Sequence, residues 1–166
     1  GSSGEPTGIL PGASGFGITE TAIDAAPDSE MVIDALTRFM VANAAAPGSV
    51  NALVRPEVWA ALMKAKDGDG NYMQLIPMIA RDAGRVVVTS NALAAPVGTP
   101  AASSGLLTTS AGGTPPIFVG TWGSVDMVRD PYSDAASGGL RLTALATMDT
   151  TISRAEQLEI LTGLQA

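Results

Sequence analysis

Residues 54–73, with the sequence VRPEVWAALMKAKDGDGNYM, constrain the fold more than any other segment of the chain. Pro56 stands where a helix begins, because proline fixes φ and the first helical residue needs no N–H hydrogen bond. Apolar residues then recur at helical spacing, and a run of glycine and acidic residues ends the helix in a turn. The apolar stripe consists of Val58, Trp59, Leu62 and Met63. This pattern predicts a short amphipathic helix and a turn with no reactive group, which is typical of a structural protein.

The composition excludes several kinds of active site. The chain has 166 residues, enough for one domain with a core, and neither Cys nor His is present. Disulfides, thiolate ligands, imidazole ligands and nucleophiles activated by His are therefore excluded. The net charge of −7 argues against an extended basic surface for nucleic acid. We therefore expect no enzyme activity and no cofactor, although a nucleophile that works without His remains a less favoured alternative.

The hydropathy of the chain predicts no membrane segment, and its first residues predict no signal peptide. No apolar run reaches the roughly 18–20 residues that a membrane span needs, and the start GSSGEPTG has neither the basic nor the apolar part of a signal peptide. The first four residues can be the remnant of an expression tag. We favour the interpretation that the chain is a fragment of a longer protein.

The first half of the sequence predicts helices and strands in alternation. Residues 1–17 are rich in Gly and Ser and predict a surface loop, and residues 18–23 predict a brief strand. Asp28 or Ser29 caps a helix that we expect to run to residue 45. Its apolar stripe consists of Val32, Ile33, Leu36, Phe39 and Met40.

Strands dominate the predictions for the remaining sequence. Residues 51–54 predict a short strand, and the β-branched run at 85–89 predicts a buried central one. Residues 94–116 contain almost no charge, and we expect an exposed, adaptable loop there. Further strands are predicted at 117–120, 124–128, 140–147 and 158–162, with a turn over 130–139.

The candidate chemical motifs fail on their spacing. Asp67, Asp69 and Asn71 copy the start of a calcium loop, but Tyr72 occupies the position that needs Gly and Met78 the one that needs Glu. The glycines near the N-terminus follow no suitable strand for a dinucleotide site. We therefore predict no metal site, and a calcium-binding module remains only a minor alternative.

The order of five segments resembles the major capsid proteins of tailed bacteriophages with the HK97 fold. These segments are GSSGEPTGIL, the tryptophan helix with its turn, GRVVVTSNAL, IFVGTWGSVDMVRDPYSD and LRLTALATMDTTI. Together they cover nearly the whole chain. The positions that match family motifs are Gly8, Ile9, Leu10, Trp59, Gly70, Asp130, Pro131, Tyr132 and Asp149.

The resemblance implies an α+β fold with a central mixed sheet flanked by helices. It implies a peripheral (P) domain connector at 1–17, the axial (A) domain at 18–139, and P-domain strands at 140–166 with Asp149 between them. We also expect the uncharged loop to contact neighbouring subunits. The residues expected in that contact are Ser103, Ser104, Gly105, Thr108 and Gly112.

The function that the resemblance implies is assembly. Copies of the full-length protein would form pentamers and hexamers of an icosahedral phage head, located in the virion and assembled in the bacterial cytoplasm. Scaffold and portal proteins are further expected partners, and the shell would enclose DNA without reading its sequence. A shell protein of the encapsulin type, which encloses cargo, is the alternative. Cross-linking between subunits cannot be inferred, because the residues that perform it in some relatives have no clear match here.

Overall fold

The computed structural model describes residues 5–111 and 113–166, in which all the α-helices lie in the first half and strands dominate the second half. The helices are α1 (Ala13–Phe16), α2 (Ser29–Val41), α3 (Pro56–Lys64) and α4 (Leu75–Asp82). The strands are β1 (Thr19–Ala22), β2 (Val50–Val54), β3 (Val86–Val88), β4 (Ala102–Thr109), β5 (Ile117–Asp130), β6 (Arg141–Ile152) and β7 (Leu158–Gln165). Short 3₁₀ turns lie at Ala135–Ser137 and Ala155–Gln157.

The strands form a mixed central sheet and a separate hairpin. The central sheet has the order β1-β7-β4-β2-β3, and the hairpin pairs β5 with β6. Strand β4 runs antiparallel to both of its neighbours, whereas the β1–β7 and β2–β3 pairs are parallel. The predicted α+β class with a central mixed sheet and helices is thus confirmed.

Helix α2 is capped at both ends by residues of its own flanking sequence. The Asp28 side chain accepts a hydrogen bond from the Met31 N–H at 2.9 Å, as predicted for the N-cap. At the other end Asn43 takes a left-handed conformation with φ 53°, and the Ala44 N–H donates to the Phe39 carbonyl at 2.9 Å. This pattern is a Schellman motif. The helix therefore ends at Val41, four residues before the predicted end.

Helix α3 is confirmed, with Pro56 in its first turn. Val58 and Leu62 are buried as expected, but Trp59 and Met63 of the predicted stripe remain partly exposed. Helix α4 was not predicted, because Pro77 argues against a helix. Pro77 lies in the first turn of α4, where its missing N–H breaks no helical hydrogen bond.

The core lies on both faces of the central sheet. Side chains alternate between the faces along a strand, so neighbouring residues of β4 serve different clusters. Leu107 joins the larger cluster, which the helices α2, α3 and α4 cover, whereas Leu106 joins the smaller one. The smaller cluster also includes the buried Ala13 of α1. The segment that was predicted to be a surface loop therefore contains a short helix that packs against the sheet.

The prediction of an exposed loop over residues 94–116 is wrong, because β4 occupies the middle of the central sheet. Its small residues allow close packing: a Cβ on Gly105 would lie 3.1 Å from Leu164 Cδ1. Its two buried hydroxyls are hydrogen-bonded within the chain, since Ser103 donates to the Ala94 carbonyl at 2.9 Å and Thr109 to the Ser49 carbonyl at 3.0 Å. The lack of charge therefore reflects burial.

The β-branched run at residues 85–89 forms a strand, but its predicted central position is wrong. Strand β3 pairs only with β2 in the described sheet and lies at its edge, where Val87 and Val88 are exposed. A run of valines favours the extended conformation without fixing the order of strands. Gly84, just before this strand, packs against β2, and a Cβ there would lie 2.3 Å from the Val50 carbonyl oxygen.

The hairpin changes the predicted boundaries in the C-terminal half. The strands predicted at 117–120 and 124–128 are one strand of 14 residues, interrupted by an irregularity between Trp122 and Asp126. Gly123 has φ 77° there. Asp149 pairs with Gly120 inside β6, so its predicted position between strands is wrong. The predicted boundary at 139/140 falls within this hairpin, and β7 returns to the central sheet.

Candidate functional site

The positions that match family motifs lie on different elements and do not form one site. Gly8, Ile9 and Leu10 precede α1, Trp59 lies on α3, and Gly70 belongs to the turn that follows α3. Asp130, Pro131 and Tyr132 form the end of the hairpin, and Asp149 lies along it. Their roles are therefore best read one element at a time.

The residues before α1 fasten the base of the hairpin to the central sheet. Ile9 and Leu10 pack against the smaller core cluster together with Ile117 and Ile152, the first residue of β5 and the last of β6. The Gly8 carbonyl accepts a hydrogen bond from the Gly12 N–H at 2.9 Å, which turns the chain into α1. These motif positions thus connect the hairpin to the sheet.

The turn after α3 is organised around the Asp67 carboxylate. This group accepts hydrogen bonds from the backbone N–H groups of Asn71 at 2.8 Å and Asp69 at 3.0 Å. The Asn71 N–H is the main cause of the lowered pKa of Asp67, and the Asn71 side chain and the Asp69 and Gly70 N–H groups add to it. Gly70 takes φ 86°, a conformation that favours glycine. The carboxylate that resembles a calcium ligand is therefore engaged by the turn itself.

The end of the hairpin is a second turn built on a carboxylate. Asp130 accepts hydrogen bonds from the backbone N–H groups of Tyr132 at 2.9 Å and Ser133 at 3.1 Å, and also from the Ser133 hydroxyl. The Ser133 hydroxyl is the main cause of the lowered pKa of Asp130, followed by the two N–H groups. Asp134 and Arg141 then form an ion pair at 3.2 Å across the turn. The Asp-Pro-Tyr-Ser motif thus shapes the hairpin end.

Both faces of the hairpin expose large apolar side chains. Because paired residues share a face and successive residues alternate, the register assigns each side chain to one of two faces. One face carries Phe118, Trp122, Val128 and Leu145, and the other carries Val119, Met127, Leu142 and Met148. A two-stranded hairpin is marginally stable by itself in water, and exposed apolar surfaces of this kind are typical of interaction sites.

The segment that was expected to be a subunit-contact loop does not form an exposed apolar surface. Ser103, Ser104, Gly105 and Thr108 all belong to β4 in the middle of the sheet, where Ser103 and Gly105 are buried. Gly112 lies outside the described residues. The exposed apolar residues of the hairpin and of the helices are the better candidates for contact. The available sequence signal was the recurrence of large apolar residues such as Trp122, Met127 and Leu145 in and between the predicted strands.

A buried ionic contact joins α2 to the sheet and was not predicted. The Glu159 carboxylate of β7 accepts hydrogen bonds from the Thr21 hydroxyl and the Arg38 Nε, both at 2.7 Å. The only sequence signal is a single charge within the apolar run Leu158–Leu161. This contact positions α2 over β1 and β7.

The described residues form an open surface cleft of about 470 Å³, lined by residues such as Asn43, Arg154 and Gln157, and a smaller cavity in the core. The interior holds an apolar cavity of about 50 Å³ between the helices and the sheet, lined by residues such as Ala35, Val58 and Leu107. Within residues 5–111 and 113–166, no cluster of three or more potential metal ligands occurs. In the same residues, none of the helices is both long and apolar enough to cross a membrane. The exposed apolar surfaces are therefore the principal functional candidates.

Comparison with known proteins decides the family. The sequence matches the model of the phage capsid family over residues 1–163. The chain belongs to this family. None of the curated proteins matches this capsid-family chain.

Solved structures agree on the fold of this family member. The capsid of a native GTA particle matches with a TM-score of 0.63 and 18% identity, over 97% of this chain and 56% of that one. A structure from Mycobacterium phage Che8 matches with a TM-score of 0.55 and 19% identity, over 88% of this chain and 53% of that one. The holo-SrpI encapsulin complex from Synechococcus elongatus PCC 7942 matches with a TM-score of 0.54 and 14% identity, over 95% and 56% of the chains.

These matches confirm the HK97-like capsid fold. At such low identity the structural likeness shows the fold, and the family membership comes from the sequence match. The chain spans between about half and three fifths of the length of the structures that it matches. Membership of the phage capsid family indicates a structural protein.

Proposed function

We propose that this chain is part of a major capsid subunit that self-assembles into the pentamers and hexamers of an icosahedral phage head. The observation that carries the proposal is the family match, which extends over residues 1–163. In this proposal the central sheet and its helices form the axial domain, and the β5–β6 hairpin belongs to the peripheral domain. The protein would reside in the virion shell after assembly in the host cytoplasm.

The exposed apolar surfaces support a protein that functions among copies of itself. A soluble monomer rarely exposes large contiguous apolar patches, yet the hairpin presents apolar side chains such as Trp122 and Met127 on its two faces. Contacts between different surfaces of identical subunits close into rings when the rotation between neighbours fits. Pentamers and hexamers of one subunit require contacts of this kind.

The charge of the chain suits a shell around nucleic acid. A net charge of −7 gives the surface no general attraction for phosphate, so the protein would enclose DNA without binding particular sequences. Scaffold and portal proteins are the further partners that we propose for the assembling head. No catalytic role is part of this proposal.

A nanocompartment shell of the encapsulin type is the second candidate. The likeness to the holo-SrpI encapsulin complex favours it, with a TM-score of 0.54. The match to the phage capsid family favours the phage head, and we rank that function first. Neighbouring genes would separate the two, since portal and tail genes accompany a capsid gene and a cargo gene accompanies a compartment gene.

Cryo-electron microscopy of the full gene product tests the proposal. We expect closed icosahedral shells in which the central sheet lies around the five-fold and six-fold axes. Shells that contain DNA after prophage induction would support the phage head, and shells filled with a cargo protein would support the compartment. A gene product that folds but stays monomeric would refute both functions.

A further inference from the structure

Helix α2 presents an acidic and apolar surface to solvent. Its exposed residues recur every three or four positions and therefore lie on one side of the helix, opposite the buried Ala35 and Phe39. Among them, Ile33 is 58% exposed and Val41 is 77% exposed, values that are high for large aliphatic side chains. We define this surface, called the α2 face, by Glu30, Ile33, Asp34, Thr37 and Val41.

The surface formed by α3 and its following turn combines exposed apolar side chains with two lysines. Trp59 is 38% exposed and Met63 is 41% exposed on the outer side of the helix, and Tyr72 lies beyond the turn. The lysines of the chain are both here, at positions 64 and 66, and the Lys66 ammonium lies 5.1 Å from the centre of the Tyr72 ring. We define this surface, called the lysine surface, by Trp59, Met63, Lys64, Lys66 and Tyr72.

The two surfaces complement each other but are not paired within one copy. Among the described residues, the ion pairs within 4.0 Å include neither the carboxylates of the α2 face nor the two lysines. The nearby Asp67 and Asp69 keep their negative charges, but the Asp67 carboxylate is bound by N–H groups of the turn, and the two exposed lysines supply the positive charge of this surface. Each surface therefore combines exposed apolar groups with charged groups that take part in none of these ion pairs. The charges are carboxylates on the α2 face and ammonium groups on the lysine surface.

We propose that the α2 face of one copy docks on the lysine surface of the neighbouring copy. The proposal rests on the assembly function and names the contact that would join adjacent subunits. Because the two surfaces differ, the contact is heterologous and can repeat around a ring. The apolar side chains supply most of the buried area, and the charges set the register and speed the encounter.

Paired cysteines test the contact directly in the full gene product. The described chain has no native cysteine, so Ile33→Cys and Met63→Cys variants carry one thiol each within it. In a heterologous contact, the two variants mixed before assembly form disulfide-linked dimers, and neither variant does so alone. We expect the mixture to give roughly fivefold more dimer than either variant, since position 33 of one copy faces position 63 of the next. Ser90→Cys, mixed with Ile33→Cys, is the exposed control.

Charge reversal gives an independent measurement. Asp34→Lys or Lys64→Glu should each slow shell assembly about tenfold at low salt, and their combination should restore most of the rate. Arg154→Glu replaces a positive charge with a negative one, as Lys64→Glu does, but lies outside both surfaces and should leave the assembly rate unchanged. All three side chains are exposed, so circular dichroism should show the fold intact.

The outcomes separate this contact from the assembly function. If the unmodified gene product does not assemble, both proposals fail. If it assembles while the mixed cysteine variants give no more dimer than each alone, the assembly function stands and the contact is refuted. Loss of assembly in both charge variants without recovery in their combination would likewise refute the contact.

Discussion

The buried carboxylate of Glu159 provides a quantitative test of how α2 is held on the central sheet. Its side chain is 5% exposed, and it contacts the Arg38 guanidinium, whose Nη2 lies 2.7 Å from Oε1. The Thr21 hydroxyl donates to the same carboxylate oxygen. The free-energy cost of burying a carboxylate rises strongly when a partner is removed, because little water is present to replace the lost hydrogen bond.

Arg38→Met keeps most of the aliphatic length and removes the guanidinium. Breaking a fully buried pair costs about 3–5 kcal/mol, because an unpaired charge is left behind. The Arg38 side chain is 38% exposed, so water screens part of the interaction and can reach the site. We therefore expect a loss of about 2–3 kcal/mol in the free energy of unfolding, which is a fall of roughly 5–10 °C in Tm for a domain of this size.

Chemical and thermal denaturation of three variants measure this effect. Arg38→Met combined with Glu159→Leu removes both charges and should be more stable than Arg38→Met alone, because no charge stays unpaired. Arg81→Met, which breaks the exposed pair with Asp82, is the matched control and should cost less than about 0.5 kcal/mol. If Arg38→Met costs no more than Arg81→Met, the Arg38 guanidinium does not stabilise the Glu159 carboxylate.

Three further predictions concern a close backbone contact, the core and the hairpin end. Gly84→Ala should cost about 3 kcal/mol or more in denaturation, because its Cβ would lie 2.3 Å from the Val50 carbonyl oxygen at φ 149°. Gly68→Ala, with no atom within 4 Å of the new Cβ, should change stability by less than about 1 kcal/mol. Leu75→Ala should cost about 3–5 kcal/mol, since this side chain is 0% exposed. Asp130 has a lowered pKa, so the advantage of the native protein over Asp130→Asn should be present at pH 7 and disappear as the pH falls below about 4; a difference that persists in acid would contradict this.

The sequence predicted the elements whose signals are local. Asp28 marks the start of α2 and Pro56 the start of α3, because a cap or a proline acts on the backbone next to it. The family motifs identified the fold, because their order along the chain carries information that single segments lack. Helices α2 and α3 could therefore be predicted without the structure.

The sequence could not predict where strands lie in the sheet. Valines 86–88 form an edge strand, whereas the Ser, Gly and Thr residues of β4 lie in its middle, because strand order depends on distant pairings. Close packing of β4 against β7 requires small residues, so Gly105 resembles a loop residue in the sequence and a core residue in the structure. The candidate contact loop was misplaced for this reason.

The hairpin explains why assembly surfaces are hard to read from one chain. Strand β5 carries apolar residues on both of its faces, a pattern typical of a strand that is buried on both sides. In the single chain these side chains are exposed, so the sequence pattern of a buried strand disagrees with the solvent-exposed environment of β5. The disagreement disappears if the sequence is adapted to an assembled state in which neighbouring protein covers the hairpin, as the proposed capsid function requires. Apolar residues that one copy leaves exposed therefore indicate which surfaces neighbouring copies would cover in the proposed shell.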